Sequence, residues 1–391
     1  MEKKSIQTKH GEIALPAFLP DATYGSIRTA SFNDVKNAGI NEIVSTTLHL
    51  EQKIGSQYIK KMGGLHKFIN WDRPILTDSG GWQVFSLINS NKGNKQNRIT
   101  DLGCSFIDPA SGDYSLLTPE GSIVIQSNLG ADILTVLDDP IIGDASLSAR
   151  KESVELTTKW AARSKKKFDE IYKDGEDRDP HRLNRPLLGA VVQGADDKKM
   201  RKESAEQLLE LDFDLYNFGG IPMYSDISWK KDFPTGFYRE MLAYVSELIP
   251  DNKYKYAMGV GQPEDIAYCV DAGWDIFDTV LPTRNARHGY LYVGGGMGDE
   301  SKSYSRRRGS LSSPTQKVLS YDIMHLRSER YKFDENPVDE NCDCECCKTV
   351  SRAYLRHLIR IKEPAGQRLC TIHNLAFYAK WMEELRVTNK N

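Results

Sequence analysis

Four cysteines fall within six residues, Cys342, Cys344, Cys346 and Cys347, and His373 follows them downstream. Three thiolates and one imidazole at Cys-x-Cys-x-x-Cys spacing make a closed ligand set for a tetrahedral Zn2+ ion, with no open coordination position, so its role would be structural. The extra cysteine leaves the third thiolate ambiguous between Cys346 and Cys347. Spacing from Cys344 favours Cys347, and His357 is a competing fourth ligand more readily read as an exposed or core histidine. A second set of reactive residues is spread along the chain. Asp78 follows PILT, Asp138 and Asp139 follow ILTVL, Gln193 follows GAVV, and Asp278 lies in WDIFDTVLP. Each aspartate alone is as well explained as a turn or helix cap. Several arriving at one mouth are harder to explain that way. Two carboxylates facing a small pocket suit substitution at a sugar's anomeric carbon, one attacking and the other moving protons. Glycines at Gly219, Gly220, Gly259 and Gly261 admit a flat, purine-sized heterocycle close to the backbone, with Trp82 and Met258 available to cover its faces.

These residues need a scaffold that brings distant strand ends together. Short apolar runs at 42–48, 74–77, 132–137, 187–192, 215–218, 256–260 and 275–280 alternate with amphipathic stretches at 146–171, 198–211, 236–248 and 263–272. That is the pattern of βα units forming a parallel sheet. Seven strands plus one more would close a (β/α)8 TIM barrel, whose active site is built where the strands finish. Segment 101–117, with DPASGDY, reads as a hairpin insertion over the barrel mouth, and 294–314 as a Gly/Ser-rich basic loop carrying Arg306, Arg307 and Arg308. The expected division is a catalytic barrel at 1–293, a basic loop and zinc-binding subdomain at 294–375, and a C-terminal helix at 376–391 packing on the barrel.

The chain has 391 residues, 39% hydrophobic and 27% charged, with a net charge of −2. This is a globular composition, and its overall field does not draw it to nucleic acid, so RNA contacts must come from local basic patches. Basic residues gather at 284–288, 306–308, 327–332 and 352–362, interleaved with Tyr304, Tyr331 and Tyr354. No run of about 18 apolar residues occurs, and the N-terminus lacks the apolar core of a signal peptide, so a cytoplasmic location without membrane association is expected.

Taken together, ATYGSIRT, LTDSGGWQVFSL, LTPEGSIVIQSNLGADILTVLDD, VVQG, FGGI, MGVGQPEDI, FDTVLPTRNARHG and the Cys/His cluster with SRAYLRHLIR and HNLAFY resemble the tRNA-guanine transglycosylases. These are barrel enzymes that exchange a guanine in RNA for a 7-deazaguanine base. The resemblance runs along most of the chain. It implies Asp278 as the nucleophile at C1′, forming a covalent nucleotide–enzyme intermediate, and Asp78 as the general acid/base. It also implies Asp138 and Gln193 as readers of the base edge, with Gly219, Gly220 and Ile221 lining the base pocket beside Trp82, Met258 and Gly259. Arg284 and Arg287 would contact the anticodon loop, and Cys342, Cys344, Cys347 and His373 would bind zinc. The implied partners are tRNA with GUN anticodons, guanine, a 7-deazaguanine base (preQ1 or queuine) and a second copy in a homodimer. Exchange on DNA, or service as a non-catalytic RNA-binding subunit, are the rival readings. Two departures bear on the incoming base. Ile221-Pro222-Met223 stands where bacterial members continue Leu-Ala-Val, and Pro140 follows the Asp pair where they have Cys.

Overall fold

The computed structural model describes residues 5–90, 96–108, 111–141, 145–173, 185–220, 235–294 and 321–388. Eight strands form the central sheet: β1 (Ala17–Pro20), β2 (Ile43–Ser45), β3 (Ile75–Thr77), β4 (Ile133–Thr135), β5 (Leu187–Val192), β6 (Leu215–Phe218), β7 (Tyr254–Ala257) and β8 (Ile276–Thr279). Their order in the sheet is β1-β8-β7-β6-β5-β4-β3-β2, so every strand lies beside its sequence neighbours. The parallel registers place Val44 opposite Leu76, Leu76 opposite Ile133, Gly189 opposite Leu215 and Tyr256 opposite Ile276. A parallel bridge from Asp21 to Val44 joins the two end strands. The sheet is therefore a (β/α)8 barrel. Seven strands are those expected from the apolar runs. The eighth, β1, is the short run AFLP, whose proline and length hide it from a search for β-branched runs.

Strand side chains alternate between the interior and the surrounding helices. Leu19, Val44, Leu76, Ile133, Leu215, Tyr256 and Ile276 share one buried cluster with Ile6, Ile13 and Leu15 from an antiparallel hairpin, Ser5–Thr8 and Gly11–Ala14. Burying each such side chain contributes roughly 1.5–3 kcal/mol. The helices start where caps require. Ser146 accepts from the Ala149 amide ahead of Leu147–Tyr172, and Asp197 accepts from Lys199 and Met200 ahead of Lys198–Glu210. Helices Thr235–Leu248 and Pro263–Asp271 match the other two amphipathic stretches. The expected hairpin insertion is a three-stranded antiparallel sheet, Arg98–Thr100, Gly103–Ile107 and Tyr114–Leu117. Its Cys104, Phe106 and Leu117 pack with Leu48 and Leu137, which lie just past the ends of β2 and β4.

The chain divides into two compact units: Met1–Gly25, Glu42–Val260 and Glu264–Asp278 in the first; Ser26–Asn41, Gly261–Pro263 and Thr279–Asn391 in the second. Residues 279–293, expected with the barrel, thus sort with the second unit. There, strand Tyr290–Gly294 pairs antiparallel with Tyr321–His325, and helices Leu281–Arg287, Glu345–Thr349, Arg352–Arg360 and Pro364–Thr388 surround a core that includes Leu291, Tyr331, Cys346, Leu355 and Cys370. The segment expected as a separate helix from 376 is the second half of the continuous helix Pro364–Thr388. The basic triplet at 306–308 lies outside the described residues. No helix among the described residues is long and apolar enough to cross a membrane.

Candidate active site and metal centre

Three of the expected carboxylates finish strands of the barrel, each held by hydrogen bonds that fix its direction. After β3, Asp78 Oδ1 accepts from the Thr47 amide at 2.9 Å and the Gly80 amide at 3.2 Å, and Oδ2 accepts from Gln83 Nε2 at 2.8 Å. Gly80 makes this turn with φ +82°, and a Cβ there would press on Leu48 and Leu117. In β8, Asp278 Oδ1 accepts from both the Tyr256 hydroxyl and the Gly259 amide at 2.7 Å. After β4, Asp138 Oδ2 accepts from Gln193 Nε2 at 2.7 Å. Burial pushes Asp78, Asp138 and Asp278 each up to about 6, although these hydrogen bonds favour the charged forms. Asp139 rises to about 7 through burial and the nearby charges of Asp138 and Glu152. Carboxyls that change charge close to neutral pH are suited to proton transfer.

The residues expected to read a base follow β4, β5 and β6. Gln193 is fully buried, its backbone N–H donating to Ser204 Oγ at 3.1 Å. The turn that follows is clamped by the buried Arg201, which donates to the Val192 and Ala195 carbonyls at 2.5 and 2.9 Å. Gln193 Oε1 is buried without a hydrogen-bond partner among the described residues. Such an acceptor costs about 1–3 kcal/mol until something donates to it. Gly219 and Gly220 line the same place. A Cβ on Gly219 would lie 2.3 Å from Val191 Cγ1 and 2.7 Å from Gln193 Nε2, and one on Gly220, at φ +59°, 2.8 Å from Gln193 Oε1. Met258 packs at the edge of the barrel core, Gly259 is exposed, and Trp82 is exposed at 36% with its ring tilted against Phe85. Ile221 lies outside the described residues.

The structure adds residues that sequence reading missed. Tyr256 and Thr47 hold Asp278 and Asp78, and Tyr256's inward position was available from the period-two alternation of β7. Asp21, just past β1, faces the same mouth. Its charge contributes to the raised values of both Asp78 and Asp278. It was overlooked because its strand was.

In the second unit, Cys342, Cys344, Cys347 and His373 bring their ligand atoms within 4.8 Å of one another. His373 Nδ1 lies 3.2 Å from Cys347 Sγ and 3.7 Å from Cys344 Sγ. Its Nε2 is 2.7 Å from the Tyr292 carbonyl, which fixes the proton on Nε2 and leaves the Nδ1 lone pair for a metal. Cys346 points away into the core and His357 is exposed, so both alternatives fall away as ligands in this arrangement. The donor set fits a tetrahedral metal ion. Arg284 and Arg287 share one face of helix Leu281–Arg287, Arg284 exposed and Arg287 half-buried. Asn374 fixes that helix within its unit by donating to the Pro282 and Tyr290 carbonyls at 2.9 and 3.0 Å.

A further set, His10, His66 and Asp132, also brings three possible metal-binding atoms together. The two rings stack with centroids 3.5 Å apart, and His66 Nε2 faces both the Asp132 carboxylate at 3.2 Å and the Arg73 carbonyl at 3.1 Å. A ring nitrogen facing a carbonyl carries its hydrogen, so this is a hydrogen-bonded brace at the start of β4, not a ligand set.

Comparison with known proteins supplies the family. The sequence matches the family model described as "Queuine tRNA-ribosyltransferase" over residues 4–389. The chain belongs to the queuine tRNA-ribosyltransferase family. Among its relatives, the queuine tRNA-ribosyltransferase of Blochmanniella pennsylvanica is 40% identical over 376 residues, covering 96% of this chain and 88% of the relative. Those of Psychrobacter sp. and Thiobacillus denitrificans are 37% and 38% identical, covering 98% and 97% of this chain and 88% and 89% of their own lengths. The family matches the resemblance carried by the motifs.

Proposed function

We propose that this chain is a pentosyltransferase that exchanges guanine in tRNA for a 7-deazaguanine base by double displacement at C1′ of the target ribose. The observation that carries the reading is the pair Asp278 and Asp78, both inward at barrel strand ends and both poised near pH 6. Tyr256 and Gly259 hold Oδ1 of Asp278, leaving Oδ2 to attack C1′. As that bond forms, the C1′–N9 bond breaks and Asp78 gives its proton to the departing guanine. The incoming base then loses its N9 proton to Asp78 and attacks C1′, displacing Asp278. No net proton is consumed. Because the glycosidic bond energy is retained in the covalent intermediate, no nucleoside triphosphate is required.

Asp138 and Gln193 read the amide edge and exocyclic amine of the base, Gln193 Oε1 having no hydrogen-bond partner among the described residues. Backbone at Gly219 and Gly220 meets the base carbonyl, Trp82 and Met258 cover the ring faces, and Gly259 borders the pocket. The incoming base is preQ1 or queuine. Arg284 and Arg287 take phosphates of the anticodon loop, with the guanine of GUN anticodons as target, flipped out of its stack. Zn2+ on Cys342, Cys344, Cys347 and His373 holds the second unit together. The working assembly is a homodimer.

Labelled guanine exchange into tRNA by the zinc-loaded protein tests this. We expect incorporation with the unaltered chain, an adduct between tRNA and protein that survives denaturation, and loss of both in Asp278→Ala. No incorporation, or full activity in Asp278→Ala, refutes it. Arg284→Ala and Arg287→Ala are each expected to flatten the salt dependence of tRNA binding by about one counterion.

A further inference from the structure

We propose that Asp21 is a specificity-determining residue of this site, whose carboxylate accepts a hydrogen bond from the 2′-hydroxyl of the target nucleotide and so selects ribose over deoxyribose. The inference rests on the base-exchange reading and assigns its sugar subsite.

The barrel order decides which part of a substrate Asp21 meets. The base-reading groups Asp138, Gln193, Gly219 and Gly220 follow β4, β5 and β6, which are consecutive in the ring. In an eight-membered ring the strand across from β5 is β1, the strand that Asp21 ends. Asp21 is flanked there by β8, carrying Asp278, and by β2, to which it is tied by the Val44 bridge. A base held on the β4–β6 arc with C1′ at Asp278 leaves its sugar on the β8–β1–β2 arc. Asp21 is therefore on the sugar side.

Register places it close enough. The Ala17 amide donates to the Asp275 carbonyl at 2.8 Å, which in a parallel pair sets Ala17 opposite Ile276 and Leu19 opposite Asp278. Leu19 and Ile276 both point into the barrel core, so by alternation Asp21 and Asp278 point inward too. Asp21 then lies one inward position beyond Asp278 on the neighbouring strand, about 8 Å between Cα atoms from ordinary strand spacing and rise. Two carboxylates so placed span adjacent carbons of one sugar, one at C1′ and one at the 2′-hydroxyl. Thr23 Oγ1 lies 2.7 and 2.6 Å from the two Asp21 oxygens and helps to orient the carboxylate, which with about four lone-pair sites accepts from more than one donor at once. Asp21 is half-buried, open enough for a substrate group to reach it. A third negative charge beside Asp78 and Asp278 disfavours their ionisation. That cost is offset once a hydroxyl proton and a cationic, oxocarbenium-like sugar lie among the three.

The test uses an anticodon stem-loop RNA in two forms, with guanosine or 2′-deoxyguanosine at the target position, and kcat/KM for labelled guanine exchange. Asp21→Ala is expected to lower exchange on the ribose form roughly 10- to 100-fold, the range for a charge-assisted hydrogen bond. Exchange on the deoxy form should change by a clearly smaller factor, since the hydroxyl is already absent and only the altered field at Asp78 and Asp278 is felt there, so the ribose-to-deoxyribose ratio should fall several-fold or more. Asp21→Asn keeps an acceptor oxygen and should retain part of the preference, which also guards against a fold defect in the alanine variant. An unchanged ribose-to-deoxyribose ratio in Asp21→Ala, through equal loss on both or loss on neither, overturns the assignment of Asp21 alone. If the unaltered chain exchanges guanine in neither RNA, the base-exchange reading falls and this inference falls with it.

Discussion

Replacing Tyr256 with phenylalanine removes one atom from the surroundings of Asp278, the proposed nucleophile, and its effect can be worked out from the structure. The Tyr256 hydroxyl donates to Asp278 Oδ1 at 2.7 Å and favours the carboxylate, as does the Gly259 amide. Burial opposes both and leaves Asp278 at about 6. A hydrogen bond to a charged group is worth roughly 1.5–3 kcal/mol, and one pKa unit is about 1.4 kcal/mol, so Tyr256→Phe should raise Asp278 by roughly 1–2 units. In its proposed role Asp278 must be ionised to attack, so activity is expected to be lost as pH falls through the folded-state pKa. In Tyr256→Phe that acid limb should move from about 6 to roughly 7–8. At pH 7 the ionised share would drop from about nine-tenths to between a half and a tenth, a loss of roughly 2- to 10-fold that vanishes near pH 9. Asp78 also titrates near 6, so the limb belongs to the two carboxyls jointly, but only Asp278 is bonded to the phenol. The assay is kcat/KM for guanine exchange against pH in both proteins. Coincident acid limbs, or a loss equal at every pH, would refute the reasoning.

Gly219→Ala sets a methyl against Val191 and Gln193 Nε2, at 2.3 and 2.7 Å, and should raise KM for the base at least about tenfold by displacing Gln193; calorimetric titration with guanine reads the same loss. Metal analysis should find one Zn2+ per chain, and Cys347→Ser or chelation should release it and lower the melting temperature while the barrel's circular dichroism persists. Asp132 is held down to about 2, because its bonds to His10, His66 and the Ile75 amide outweigh burial. A depressed carboxylate contributes stability above its unfolded pKa and loses it as pH falls through about 4 to 2, here on the order of 2 kcal/mol. Asp132→Asn should therefore unfold at lower urea concentration at pH 7 and show a weaker acid-side decline; parallel stability curves for the two proteins would contradict the brace.

Much of this was legible without coordinates because it is encoded locally. Short apolar runs followed by Asp, Gln or Gly mark strands and their ends, so Asp78, Asp138, Gln193 and Asp278 could be named as candidates from sequence. Cysteine spacing named the four residues that come together as a possible metal site, although Cys346 and Cys347 were separated only once the helix Glu345–Thr349 turned one thiol into the core. β1 was not legible, since four residues ending in proline carry too little pattern, and Asp21 was lost with it. Nor were the partners of the carboxylates: Tyr256 and Asp278 are separated by 22 residues, and Thr47 and Asp78 by 31.

The sequence by itself determined which side chains are available for chemistry and which faces of the strands they occupy, because alternation is a local property of an extended chain. Closing the ring decided the rest. Only when β1 met β2 did the carboxylates acquire common burial, mutual repulsion and opposite neighbours, since electrostatic energy depends on distances through space that no local pattern records.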